Sequence, residues 1–150
     1  MKITQEADYA LRMVCLLARE EAAGHPVVGA ANLAAAVVVP TRFGLKILHK
    51  LSQAGLVKTS RGVAGGYSLN VDSHTLTMRR VIEAIDGPIT LNRCLSDTHV
   101  CGNNPDKEAC RLHHVFASLN EQVVERLDKL TVSLLTDEHV GLGDLLAAIR

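Results

Sequence analysis

The apolar positions of this chain recur with a helical period along most of its length. In "DYALRMVCLLARE" (8–20), Leu11, Val14, Cys15, Leu16 and Ala18 fall on one face with the charges off it, which predicts a first, core-facing helix. Gly24-His25-Pro26 breaks that helix, and "ANLAAAVVV" reads as a short second one over about 30–36. The three valines that follow disfavour helix slightly and lead to Pro40. Proline is tolerated in a first turn, so "PTRFGLKILHKLSQAG" predicts a third helix that starts there and is capped at Gly55. Within it Arg42, Lys46 and Lys50 recur every four residues and form one stripe. Leu48 and Leu51 lie roughly opposite, with Phe43 and Ile47 between, so the helix can dock by one side and offer cations by the other.

Past Gly55 the period changes. Residues 56–60 and 66–69 suit β-strands and flank a turn containing Gly62 and Gly65, the signature of a two-stranded hairpin. Gly62, Gly65 and Gly66 are expected to turn with positive φ or to let the backbone approach a ligand closely. Thr77 then caps a fourth helix, "MRRVIEAIDGP", with Val81, Ile82 and Ile85 inward and Gly87-Pro88 as its stop. Farther on, Leu112, Phe116, Leu119, Val123, Leu127, Leu130 and Leu134 are three or four residues apart, an apolar seam some six helical turns long. A seam of that length needs a partner, and a second copy of the chain supplies one economically. "GLGDLLAAIR" makes a short terminal helix. The expected fold is mainly α with a small β-hairpin: a winged helix-turn-helix over 1–88, a cysteine-rich loop over 89–111, and a dimerisation helix with a C-terminal helix over 112–150.

Charge gives the reader a target. The chain is neutral overall, yet residues 22–71 contain no Asp or Glu and five basic side chains, Arg42, Lys46, Lys50, Lys58 and Arg61. That window is +5 and the remainder −5. A segment without carboxylates suits a polyanion-facing surface, because one misplaced acid repels phosphates. A tight helix pair with a basic second helix, followed by a basic hairpin, places the helix in a major groove and the hairpin over the minor groove or flanking phosphates of duplex DNA. Arg42 and Lys46 are the expected base contacts, and Thr41 and Lys50 are expected near phosphates. No apolar run reaches eighteen residues and no basic leader precedes one, so the expectation is a cytoplasmic protein without membrane contact.

The stretch "CLSDTHVCGNNPDKEACRLHH" (94–114) holds three of the four cysteines. Crowded thiols in a reducing compartment point to metal or redox chemistry more than to structural bridges. Cys94, Cys101 and Cys110 are separated by six and eight residues, with Gly102, Asn103, Asn104 and Pro105 giving the loop freedom to fold round a cofactor. Thiolates suit iron-sulfur clusters and zinc alike, and no compact CxxC pair decides between them. A redox-active thiol loop is equally compatible. A small thiol oxidoreductase or metal hydrolase is the rival of another class; the absence of CxxC, a nucleophile elbow and a phosphate-binding glycine loop argues that the chain is not an enzyme. Cys15, on the apolar first helix, reads as a small core residue.

Four stretches, "MKITQEADYALR", "PTRFGLKILHKLSQAGLVKTSRGVAGGYSL", "TMRRVIEAIDGPI" and the three-cysteine loop before a long helix, together resemble the Rrf2 family of bacterial winged-helix transcription regulators, including iron-sulfur regulators of the IscR and NsrR kind. The resemblance covers nearly the whole chain. It implies a repressor that dimerises through the long helix, touches a double-stranded operator with the wing arginine Arg61, and binds a cluster at Cys94, Cys101 and Cys110. It also implies a fourth ligand in one of two places. His113 follows Cys110 as the histidine ligand does in IscR-like relatives, which goes with 2Fe-2S. Asp8 stands where NsrR-like relatives place an aspartate ligand, supplied by the other subunit to 4Fe-4S. The loop's spacing is longer than the five-and-five arrangement common in those relatives.

Overall fold

A computed structural model describes residues 3–62, 64–96, 99, 101–103 and 106–150. Val63 of the wing turn, and Asn104 and Pro105 of the cysteine loop, lie outside the described residues.

Helix α1 (Gln5–Ala22) is longer than its apolar pattern predicts. Thr4 begins it, because its hydroxyl accepts from the Ala7 N–H and donates to Asp86 Oδ1 at 2.6 Å. Its inward face, Ala7, Ala10, Met13, Val14 and Leu17, is fully buried. Helices α2 (Ala30–Ala36) and α3 (Thr41–Gln53) pack on it and meet at 107°, the geometry of a helix-turn-helix. Pro40 precedes α3 as its cap residue rather than opening its first turn. Gly55, with φ +72°, ends it as expected.

Gly44 lies inside α3, where glycine costs about 1 kcal/mol relative to alanine. A Cβ there would stand 2.9 Å from Ala34 Cβ and 3.2 Å from Met13 Cε, so the missing side chain is what lets α3 seat on α2 and α1. Ile47, Leu48 and Leu51 fill the rest of that contact.

The wing is the antiparallel pair β1 (Val57–Ser60) and β2 (Gly66–Leu69), with Val57 opposite Leu69 and Ser60 opposite Gly66. Val28 joins its outer edge through two 2.9 Å hydrogen bonds with Tyr67, a pairing the local pattern does not announce. The glycines divide their work. Gly62 takes φ +117°, whereas Gly65 and Gly66 make room for the Ser60 and Val28 carbonyls.

Helix α4 (Met78–Asp86) starts at Thr77 and stops at Gly87, with Val81 and Ile82 buried and Ile85 nearly so. A short 3-10 turn, Arg93–Leu95, carries Cys94. The long apolar seam is divided: α5 covers Arg111–Lys129, and Leu134 belongs to a separate helix, α6 (Val132–Thr136). The break has a clear cause. Leu130 O accepts from Met78 N and Val132 N donates to Leu76 O, both at 2.8 Å, so Thr131 pairs with Thr77 as a short bridge. Helix α7 (Leu142–Ala148) follows, with Asp144 accepting from the Gly141 N–H. Among the described residues no single helix is long and apolar enough to cross a membrane; the one pair that passes together is α2 with α3, folded across the helix-turn-helix.

One residue in the helix-turn-helix is strained. Val38, 87% exposed, holds φ +58°, where a β-branched side chain costs about 1–2 kcal/mol. Val38→Gly is expected to raise stability by about 1 kcal/mol, read as a higher urea midpoint with an unchanged slope. A lower midpoint would show that Val38 contributes a contact worth more than its strain.

Candidate functional site

Two regions carry the chemistry, the outer face of α3 with the wing, and the cysteine loop. On α3 the buried residues Gly44, Ile47, Leu48 and Leu51 set the inward side, so Thr41, Arg42, Leu45, Lys46, His49 and Gln53 are exposed. Leu45 and His49 add to the predicted contacts; their positions between Thr41 and Arg42 on the helical wheel carry that signal. Pro40 offers no side-chain cap, leaving the start of α3 with donors that suit a phosphate.

The five basic side chains fall into two groups. Among the described residues Arg42, Lys58 and Arg61 form no ion pair and are exposed. Lys46 and Lys50 are both paired with Glu6 of α1, Nζ to Oε2 at 3.5 Å and Nζ to Oε1 at 3.0 Å, the latter without hydrogen-bond geometry. Lys50 Nζ also donates to Ile85 O at 3.4 Å, at the end of α4. Lys46 sits over the Phe43 ring, which Tyr9 meets edge-on. Lys50 is therefore turned toward α1 and α4, whereas Lys46 remains on the outer face.

The cysteine loop is tied at its entry. Asn120 of α5 accepts from Leu91 N at 2.9 Å and donates to Ile89 O at 3.1 Å. Cys94 lines an open groove of about 390 Å³ with Leu95, Lys107, His113, Asn120 and Glu121. His113 Nδ1 is buried there and has no hydrogen-bond partner among the described residues. His114, by contrast, donates from Nε2 to Glu108 O at 2.8 Å. Cys110 caps α5 and Lys107 reaches Ser96 O, drawing the two ends of the loop together. No disulfide links the cysteines. Among the described residues no three His, Cys, Asp or Glu side chains are gathered to hold a metal ion, so within one chain Cys94, Cys101 and Cys110 do not form a closed site.

Asp8 lies elsewhere. Its Oδ2 accepts from Arg12 Nε at 2.8 Å, an interaction that raises the Arg12 guanidinium further, and it borders a groove with Leu11, Cys15, Leu16 and Met78. In that groove burial pushes the Cys15 thiol up, with Arg19 acting weakly the other way.

Near its C-terminal end helix α5 is anchored to α4. Asp128 accepts from Thr77 Oγ1 at 3.0 Å and from Arg79 at 2.8 Å, raising the Arg79 guanidinium. Its first half leaves Leu112, Val115 and Leu119 exposed, Leu112 by 68%.

The family model described as Rrf2, iron-dependent transcriptional regulator, matches residues 3–138. An rrf2-like HTH-type transcriptional regulator of Rhodobacter capsulatus is 35% identical over 133 residues, 87% of this chain and 89% of that protein. The HTH-type transcriptional regulator NsrR of Bacillus subtilis is 26% identical over 147 residues, 97% of each chain. Among solved structures, CymR of Bacillus subtilis, the global cysteine regulator, superposes with a TM-score of 0.71 at 26% identity, covering 91% of this chain and 96% of its own.

Two outcomes follow from the loop's geometry. Asn120→Ala removes two side-chain hydrogen bonds to half-buried backbone groups and is expected to cost about 1–2 kcal/mol, with Leu91 losing amide protection in hydrogen exchange. Unaltered exchange at Leu91 would count against the tie. In the metal-free protein, alkylation followed by mass spectrometry is expected to be slowest at Cys15, since the thiolate is the reactive form and burial disfavours it.

Proposed function

The chain belongs to the Rrf2 family of transcriptional regulators, and from that membership we propose a cytoplasmic homodimer that represses transcription and whose operator affinity is set by an iron-sulfur cluster at the cysteine loop. The DNA-facing part rests on the outer side of α3 and the wing. Thr41 lies at the uncapped start of the helix, Arg42 and Lys46 occupy the face presented to a major groove, Lys50 stands at its margin, and Arg61 follows the wing strand. The exposed apolar first half of α5 supports a second copy as the partner, which brings two readers to half-sites about one helical turn apart.

The observation that carries the sensing part is the buried, unpartnered His113 Nδ1 in the groove that Cys94 lines. A buried nitrogen without a partner is costly unless something else occupies it. Together with three thiols, an imidazole is a donor set suited to iron. The residues that hold the group are Cys94, Cys101 and Cys110, with His113 as fourth. Asp8, satisfied by Arg12 in the single chain, is the alternative fourth ligand, contributed across the dimer. When bound, the cluster supplies a centre that oxidants, nitric oxide or iron shortage can alter or remove.

Transmission uses the chain's own hydrogen bonds. Asn120 ties the loop entry to α5, while Lys50 and Thr4 tie the end of α4, where the loop begins, to the reader. A loop that changes shape therefore pulls on the elements that place α3. Only a difference in operator affinity between the two states makes this regulation.

A second reading is sensing by thiol oxidation or by zinc, which the same three cysteines, free of disulfides, also suit. Anaerobic purification with iron, sulfide and zinc analysis separates the two. The expected result is a coloured protein that loses iron in Cys94→Ser and His113→Ala and keeps it in Asp8→Asn. A colourless protein with stoichiometric zinc refutes the cluster. With an operator selected from a randomised duplex pool, holo and apo forms are expected to differ in affinity, and Arg61→Ala to flatten the salt dependence by about 0.9. Equal affinities would remove the sensing mechanism.

A further inference from the structure

Resting on the reading of α3 as a DNA-facing helix, we propose that Leu45 is a specificity-determining residue that selects thymine in the major groove by covering its C5-methyl group. Among the described residues of α3, Thr41, Arg42, Leu45, Lys46, His49 and Gln53 are exposed, and Leu45, 43% exposed, is the one large apolar side chain in that set. A solitary exposed leucine is ordinary on a protein surface. This one stands among polar groups in the second turn of the helix, the part of a recognition helix that meets base edges.

The groups round Leu45 decide which base it can serve. Arg42 and Lys46 donate and cannot accept. The carboxylate of Glu6 is 17% exposed; its Oε1 is buried and its Oε2 faces Lys46. His49 and Gln53, which can accept, come one and two turns later. Beyond the Thr41 hydroxyl at its start, the first two turns of α3 thus offer a base donors and one apolar group. In the major groove guanine shows two acceptors and thymine an acceptor and a methyl group, whereas adenine and cytosine each present an amino donor. An amino donor brought against a cation loses its water without gaining a partner. The cations therefore favour guanine and thymine, but an oxygen alone does not tell the two apart. The methyl group does, and Leu45 is the side chain that can cover it.

Spacing links Leu45 to Arg42. Residues three apart on a helix have Cβ atoms about 5–6 Å apart, and stacked base pairs are about 3.4 Å apart. Arg42 is exposed and forms no ion pair among the described residues, so it and Leu45 address the same base step or neighbouring ones. The expected element is a thymine within about two base pairs of a guanine that Arg42 takes through O6 and N7. Removing one methyl group from water is worth a factor of about four in affinity. Because the contact is apolar, it adds discrimination between bases without adding attraction for phosphates.

The test is fluorescence anisotropy with the full-length protein on a duplex selected from a randomised pool. Its thymines are replaced one at a time by deoxyuridine, which removes the methyl group and keeps every hydrogen-bonding group. Wild-type protein is expected to lose about four-fold in affinity at one position of a half-site. Leu45→Ala is expected to bind the thymine and deoxyuridine duplexes alike at that position, at the level of wild type on deoxyuridine, with an unchanged slope of log affinity against log salt. Arg42→Ala is expected to keep the deoxyuridine effect and to lose the effect of 7-deazaguanine at a guanine within about two base pairs. A selected duplex with no thymine whose methyl group matters overturns the proposal. So does a methyl effect that survives in Leu45→Ala, or a guanine read by Arg42 farther from that thymine. Wild-type protein that selects no duplex from the pool strikes the reading of α3 as DNA-facing instead.

Discussion

Ala7, Ala10, Met13, Val14 and Leu17 expose no surface, and α2, α3, β2, α4 and α6 all pack on the helix that carries them. The two helices of the helix-turn-helix, a wing strand, α4 and α6 thus share one platform. Alanine at 7 and 10 lets neighbouring backbones come close, and Met13 fills the irregular gap beneath Gly44. Truncating a fully buried side chain such as Leu17 costs about 2–5 kcal/mol, a large share of the stability of a domain this size. The same helix presents Thr4 and Glu6 at its first turn. Core burial therefore also fixes where those polar groups stand relative to α3 and to the end of α4.

Polar contacts then join the elements at the two ends of α4. Asp128 binds Thr77 and Arg79, which joins the second half of α5 to the start of α4. Thr4 and Lys50 bind Asp86 and Ile85 O at the other end of α4. Helix α4 is consequently gripped at both ends, by α5 at one and by Thr4 and Lys50 at the other. The cysteine loop leaves directly from the reader end.

Local pattern and capping chemistry made most of the fold legible. The limits of α2, β2 and α4 follow directly from Gly, Pro and Thr at their ends, because those residues act through the backbone within a few positions. The break at Leu130 was not legible. Leucine spacing continues through it, and the competing hydrogen bonds come from Leu76 and Met78, more than fifty residues away. The same limit applies to the edge pairing of Val28 and to the start of α1, where a cap lies outside the apolar repeat. At the candidate site the residue types were readable and their partners were not. Nothing near Lys50 in sequence indicates Ile85 O, and nothing near His113 indicates that its Nδ1 is buried without a partner while His114 has one.

The charge pattern shows the difference most clearly. A window of fifty residues without an acid predicts an unopposed cationic face if the surface is made only of that window. Coulomb interactions depend on distance in space, and α1 crosses α3 at the point where Glu6 reaches both lysines. The local count of +5 is thus an upper bound on what a phosphate meets. Among the described residues Arg42, Lys58 and Arg61 are exposed and form no ion pair, whereas Lys46 and Lys50 both face Glu6 and Lys50 also reaches Ile85 O. A reader arranged in this way binds through fewer free charges than its sequence suggests. Beside those cations the outer face of α3 also exposes Leu45 and His49, groups whose apolar surface and imidazole add little to attraction for a phosphate backbone alone.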